Sequence, residues 1–419
     1  MTIVKPFRGY RPAKELTDRI ASRPYDVLTS AEAKIEAEGN PYSFLHVVKP
    51  EIDLPDETDH YSDIVYSTGK NTLQRMIAEG IFRQDDRAMY YIYAQNLWGK
   101  TQYGLVGCAS VKDYLNNNIR KHELTRPDKE EDRKNHIRVT NFNAEPVFFT
   151  YPDNDTINGI VTRVISTDPE YDFTTNDGVT HRLWLIPDLA DIQTIEKVFR
   201  DEIPFTYVAD GHHRTAAAAH VGEEREKANP RHKGNEEYNF FLAVHFPASQ
   251  LTIIDYNRVI KDLNGYSTEE FIQKVSEYFE IRNAGSDIYK PTQIHEFSMY
   301  INKTWYVLNA KSEAYNDSDP IDCLDVTVLS KFILDPILNI KDLRKSDRIE
   351  FVGGIRGLGE LQKRVDSGEM AVAFAMYPVT MEQLMNIADT GNIMPAPPRY
   401  DCPGARTSRE RRARQRRGR

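Results

Sequence analysis

The sequence predicts a mixed α/β protein, and three observations carry that expectation. Short runs rich in β-branched and aromatic residues, such as "AMYYIYAQNLW" (88–98), "EPVFFTY" (145–151) and "NFFLAVHF" (239–246), read as strands. Helix-forming runs with apolar spacing, such as "KNTLQRMIAEGIF" (70–82) and "ADIQTIEKVFRDE" (190–202), fall between them. The two kinds alternate along 419 residues, long enough for two or three domains and a substantial core.

In chain order, "SAEAKIEAEG" (30–39) reads as a helix and "GKTQYGLVGCASV" (99–111) as an apolar strand. The charged run 112–143 is longer than a structureless loop inside a domain would be. "HRLWLIP" (181–187) is a strand, and "PFTYV" (204–208) is another that runs straight into the helix former "RTAAAAHV" (214–221). "LTIIDYNRVI" (251–260) is a further strand. Residues 266–385 read as a second α/β unit: helix "STEEFIQKVSEYFE", strand "TWYVLNA", helix "DCLDVTVLSKFIL", buried strand "GEMAVAFAMYPV" and helix "TMEQLMNIAD". "GGIRGLGE" (353–360) lacks the order of a phosphate-binding glycine loop and reads as a turn between elements. The expected organisation is an α/β subdomain over 1–100, a core over 101–262, an α/β subdomain over 263–395 and a disordered tail over 396–419.

Composition narrows the function. No apolar stretch is long enough to span a membrane and the start lacks a signal core, so a cytoplasmic protein without a membrane partner is expected. Cys108, Cys323 and Cys402 show no C-x-x-C spacing, which argues against a disulfide framework or a zinc ribbon. The formal charge is −9, yet residues 406–419 alone carry eight arginines against one glutamate, which leaves −16 on the rest. An acidic body of this kind argues against a nucleic-acid surface.

The polar chemistry concentrates in "DGHHR" (210–214), on the turn between a strand and a helix. The first amides of a helix lack intrahelical partners and its dipole favours negative charge, so phosphate or carboxylate binds there. Gly211 lets the backbone approach an anion, Arg214 offers a fork to it, and Asp210 offers a cap for the helix. Asp210, His212 and His213 are also candidate metal ligands. An ordinary cap with solvated histidines remains the plain alternative.

The stretches "KPFRGYRP", "SRPYDVL", "GNPYSFLHVVKPEIDLP", "KHELTRPDKEEDR" (121–133), "EPVFFTYPD" and "YVADGHHRTAAAA" (207–219) resemble the bacterial and archaeal domain-of-unknown-function family 1015. That likeness runs from about residue 3 to about 396. A more distant one joins "DGHHR" and the preceding "HE" pair to the free serine kinases of the ParB and sulfiredoxin-like fold. It implies a ParB/sulfiredoxin-like core with added N- and C-terminal subdomains. It also implies Glu123 as base on a serine hydroxyl and Asp210, Gly211, His212, His213 and Arg214 as the turn holding the donor's phosphates. The bottom-up chemistry agrees: phosphoryl transfer needs a carboxylate near the hydroxyl, positive groups and usually a metal ion. His122, His213, Arg214, Arg126, Lys129 and Arg133 are candidate donors to phosphate, and Asp210 a candidate Mg²⁺ ligand.

The expected activity is a small-molecule phosphotransferase converting L-serine and O-phosphoserine, with ATP, ADP or pyrophosphate as donor, in either direction or onto water. Rivals are a ParB-type nucleotide switch or slow NTPase, and a metal-dependent hydrolase. In the plain reading, "PDKEEDRKNH" is a solvated helix face opened by Pro127, with Lys129, Asp132 and Arg133 in weak surface pairs. Arg8, Pro24, Tyr25 and Asp26 fall in family-like stretches and fit either structure or substrate. The end departs from the family's Lys-Ser/Thr and Pro-Lys-Leu pattern, reading "IMPAPPRYDCPGARTSRERRARQRRGR" as a shifted frame would; the resemblance implies a weakened site if a lysine is lost there.

Overall fold

The computed structural model describes residues 2–394 except 98, 126 and 344; the expected tail, 396–419, and Arg126 lie outside the described residues. The described residues fall into two compact units, one running to Leu251 and the other starting at Thr252. Both mix strands with helices, so the chain is mixed α/β.

The first unit is built on a nine-stranded sheet. Its strands are β1 (Val4–Lys5), β2 (Tyr90–Leu97), β3 (Lys100–Ser110), β4 (Ile119–Arg120) and β5 (Val147–Tyr151). They continue with β6 (Tyr171–Thr174), β7 (Thr180–Ile186), β8 (Thr206–Asp210) and β9 (Phe240–Pro247). The order across the sheet is β4-β8-β5-β9-β3-β2-β7-β6, with β1 on β3. Most neighbours are antiparallel, but β4 runs parallel to β8 and β5 parallel to β9.

The helices of this unit include α1 (Ser30–Ala37), α2 (Asp63–Ala78), α3 (Val111–Leu115), α4 (Pro127–Thr140), α5 (Asp155–Ile165), α6 (Leu189–Asp201) and α7 (His212–Ala228). Their starts follow local chemistry. Thr29 and Glu32 close a capping box on α1, the side chains of Asn154 and Asp188 accept the first amides of α5 and α6, and Pro127 opens α4. Such a cap is worth about 1 kcal/mol. The apolar stripe of α6, with Ile195 and Phe199, packs with Tyr90, Ile92, Tyr151 and Phe246 of the sheet. The alanines of α7 join Val208, Phe149 and Phe241 in a second cluster. Small residues bring α7 close to its surroundings: a Cβ on Gly222 would lie 2.5 Å from the Tyr238 carbonyl oxygen.

The second unit holds a six-stranded antiparallel sheet of β10 (Tyr256–Ile260), β11 (Phe279–Gly285), β12 (Glu296–Ile301), β13 (Thr304–Ala310), β14 (Ile349–Gly353) and β15 (Val372–Met376). The order is β11-β13-β12-β15-β10-β14. Its helices include α8 (Thr268–Val275), α9 (Asp325–Leu329), α10 (Leu358–Asp366) and α11 (Met381–Asp389). The 353–360 stretch is a turn, a 3-10 segment Gly354–Arg356 between β14 and α10.

Two expected edges move. The one at 100/101 would cut a hairpin, because Leu97 pairs with Lys100 and β2 and β3 are neighbours in one sheet. The edge at 262/263 moves back to 251/252, since Tyr256–Ile260 pairs with β14 and β15 of the second sheet rather than with the first. The helix expected over 267–280 ends at Val275, and Phe279 begins strand β11.

Candidate functional site

The parallel pairing of β4 with β8, Thr206 against Ile119 and Tyr207 against Arg120, sets two chain exits side by side. One leads within three residues to Glu123, the other into the 210–214 turn. Gly211 is the N-cap of α7, with φ 89° and ψ 36°, a left-handed conformation that a side chain disfavours. The turn therefore requires glycine where strand must become helix.

The two exits meet through His212. Its Nδ1 lies 3.3 Å from Glu123 Oε2, and its ring stands edge-on to that of His122 with centroids 4.5 Å apart. Both imidazoles are buried. Burial pushes His122 down to about 4, and burial together with His122, His213 and Lys121 holds His212 well below the ordinary histidine range. His212 is therefore neutral at pH 7, and its Nε2 has no hydrogen-bond partner. The Glu123 carboxyl is pushed up by burial and by the negative charge of Asp210. A half-buried carboxylate with a raised pKa beside a neutral imidazole has the chemistry of a general base.

Asp210 is pushed up by burial, while Arg214 and the Gly211 amide favour its ionised form. Arg214 folds back across Gly211: its Nη2 donates to Asp210 Oδ2 and its Nη1 to the Pro146 carbonyl, each at 2.6 Å. The candidate fork on phosphate is thus already engaged. His213, on the next position of α7, is half-buried.

Behind Arg214 lies a charged cluster that sequence reasoning read only in fragments. The Tyr25 amide donates to Glu145 Oε1 at 2.9 Å, the Arg133 guanidinium sits 3.9 Å over the Tyr25 ring, and Arg133 pairs with Asp132 at 2.8 Å. Asp132 also accepts from the Tyr66 hydroxyl at 3.0 Å. Asp132 and Arg133 are buried, which corrects the reading of them as weak surface pairs and removes Arg133 as a free positive group. Tyr25 is buried, while Asp26 is exposed. Arg133, Glu145 and Arg214 also line a cleft with about 380 Å³ of space, part of it open to solvent. Glu145 was visible in the sequence only as the first residue of the "EPVFFTY" run read as a strand.

The remaining candidates lie apart from the turn. Lys129 is half-buried in the first turn of α4 and makes no ion pair with the turn among the described residues. Elsewhere on α4, Glu131 and Arg138 form an exposed pair, Arg138 also reaching Glu224 of α7 at 2.6 Å. Among the described residues no group of three or more His, Cys, Asp or Glu is arranged to hold a metal ion. No described helix is long and apolar enough to cross a membrane. Cys108 and Cys323 are free thiols.

No curated protein matches this chain. Among solved structures, it is similar to a free serine kinase variant in complex with AMP, at 12% identity and TM-score 0.32, covering 66% of this chain and 81% of the other. It is similar to a free serine kinase variant in complex with ADP, at 11% identity and TM-score 0.33, over 70% and 85%. It is also similar to SbnI with a C-terminal truncation from Staphylococcus aureus, at 11% identity and TM-score 0.34, over 70% and 80%. The family described as "Protein of unknown function (DUF1015)" matches residues 4–327, and the chain belongs to that family.

Proposed function

We propose that the chain is a small-molecule phosphotransferase whose acceptor is the hydroxyl of free L-serine, with a ParB/sulfiredoxin-like arrangement at its core. The observation that supports this best is the contact between Glu123 and His212, 3.3 Å apart, at the mouths of two adjacent parallel strands. In this reading the serine oxygen attacks the donor's terminal phosphorus, its proton passes to Glu123, and the bond from phosphorus to the leaving oxygen breaks. His212, neutral and buried, orients Glu123. The amides at the start of α7 and the His213 side chain receive the donor's phosphates. The donor is a nucleotide, ATP or ADP, or pyrophosphate.

Magnesium suits such a site. It keeps several waters and takes phosphate oxygens with one or two carboxylates, so Asp210 alone is enough protein for it. When bound, it neutralises charge on the transferring phosphoryl group.

Phosphorus NMR of the purified chain with Mg²⁺ and O-phospho-L-serine, alone and then with ADP, AMP or inorganic phosphate, tests the reading. Phosphoserine consumed with one acceptor only, and not by Glu123→Gln, supports the kinase. Nothing consumed with any acceptor overturns it. Nucleotide bound but hydrolysed slowly, without need of serine, favours the switch instead.

A further inference from the structure

The arginine of the "DGHHR" turn has the chemistry of a natural phosphate ligand. We propose that Arg214 instead is a positioning residue that clamps Asp210 from behind, and that donor phosphates do not touch it; this rests on the phosphotransfer reading above.

Three observations carry the proposal. The guanidinium is occupied, with one Nη on the Asp210 carboxylate and the other on the Pro146 carbonyl, both at 2.6 Å. Its charge already has partners, because Asp210, Asp26 and Glu145 all act on it. It is also closed off: the side chain is 9% exposed, and its Nε is buried without a partner beneath Gly211. The last point gives Gly211 a second duty. A Cβ there would stand 3.2 Å from Arg214 Nε and 3.1 Å from Val147 Cγ1, so the missing side chain is the space through which the arginine folds back.

The clamp spans positions i and i+4 across the start of α7, where the side chains of a helix ordinarily meet. It fixes the carboxylate of Asp210 against β5 through Pro146, next to Glu145 and the Tyr25–Arg133 stack. The division of labour that follows is testable: phosphate recognition belongs to His213 and the helix amides, and Arg214 sets where the Asp210 carboxylate stands.

The test compares wild type, Arg214→Ala and Arg214→Lys by steady-state kinetics, with added methylguanidinium and with crystal structures of each. The alanine variant is expected to lose about 100-fold in kcat, the usual cost of a misplacement of about 1 Å, with the donor KM changed less than about threefold. Methylguanidinium, entering by the adjoining cleft, restores part of kcat, and lysine restores part without it. A donor KM raised about tenfold or more with kcat retained overturns the proposal, because uniform ground-state binding would then have been lost. If wild type itself transfers no phosphate, the phosphotransfer reading fails. The structures still judge the clamp: an Asp210 carboxylate that leaves its place in Arg214→Ala and returns with methylguanidinium supports it, and one that does not move overturns it.

Discussion

His212 and Glu123 come from segments 89 positions apart and meet at 3.3 Å, the imidazole Nδ1 facing Oε2. Neither residue reaches the other without β4 lying parallel to β8. In the proposed phosphotransfer the pair joins the half of the site assigned to the proton to the half assigned to phosphate. Replacing Glu123 by Gln keeps the shape and removes the proposed base. The expected result is a loss in kcat of about 10²- to 10⁴-fold with nucleotide affinity retained, read by kinetics and calorimetry. Full activity in Glu123→Gln would remove Glu123 from the chemistry.

Gly211→Ala places a methyl in a left-handed backbone and against Arg214 and Val147. Strain of this kind costs about 1–3 kcal/mol. A urea melt should show that loss, and activity should fall with it because Asp210 moves. An unchanged midpoint would mean that the turn can relax into another conformation.

His245 lies fully buried among Phe149 and Phe199, with neither ring nitrogen hydrogen-bonded. Burial pushes it down to about 3. The folded state therefore binds fewer protons than the unfolded one. Its contribution is present above the ordinary value near 6.5 and is lost as pH falls towards about 3, at about 1.4 kcal/mol per pH unit. His245→Phe should flatten the acid limb of first-unit stability by about that slope between roughly pH 6 and pH 4. Parallel curves for the two proteins would refute the assignment.

His295 behaves in the opposite sense. It adopts φ 65°, stacks on Tyr315 at 3.7 Å, and sets its nitrogens 3.0 Å from Asp317 and 3.2 Å from Asp325. Burial works to lower its pKa, but the bonds to Asp325 and Asp317 outweigh it and the value is raised. That stability is complete below about pH 6.5 and is lost as pH rises through the folded value. Proteolysis of the 311–324 segment should therefore separate His295→Gln from wild type at about pH 6 and bring the two together well above it. A difference that grows with pH would contradict this.

The strand-turn-helix at 206–228 was legible because its cues are local: a β-branched and aromatic run, one glycine, then alanines. The expected helices at 30–39, 70–82 and 190–202 likewise form, with shifts of a few residues or more at their ends. What was not legible depends on distant chain. Asp132 and Arg133 read as a solvated face, yet Tyr25, Tyr66 and Val48 supply a ring, a hydroxyl and a carbonyl that bury them. The 100/101 edge cuts a hairpin of two strands in one sheet, which only their pairing shows. Strand β12, "EFSMYI", went unread: Glu296 and Ser298 alternate with Phe297 and Met299, but the pattern is short, and all six residues are buried.

The strand that leads to Glu123 has two residues and pairs with β8 alone in the sheet order. On the ribosome, Ile119 and Arg120 leave the exit tunnel well before Thr206 is decoded. Until then β4 has no strand to lie against, and the carboxylate three residues on has no fixed address. A nascent or truncated chain that stops before residue 206 would hold most of this sheet's strands and still lack the site, so activity should appear late in synthesis, as one event.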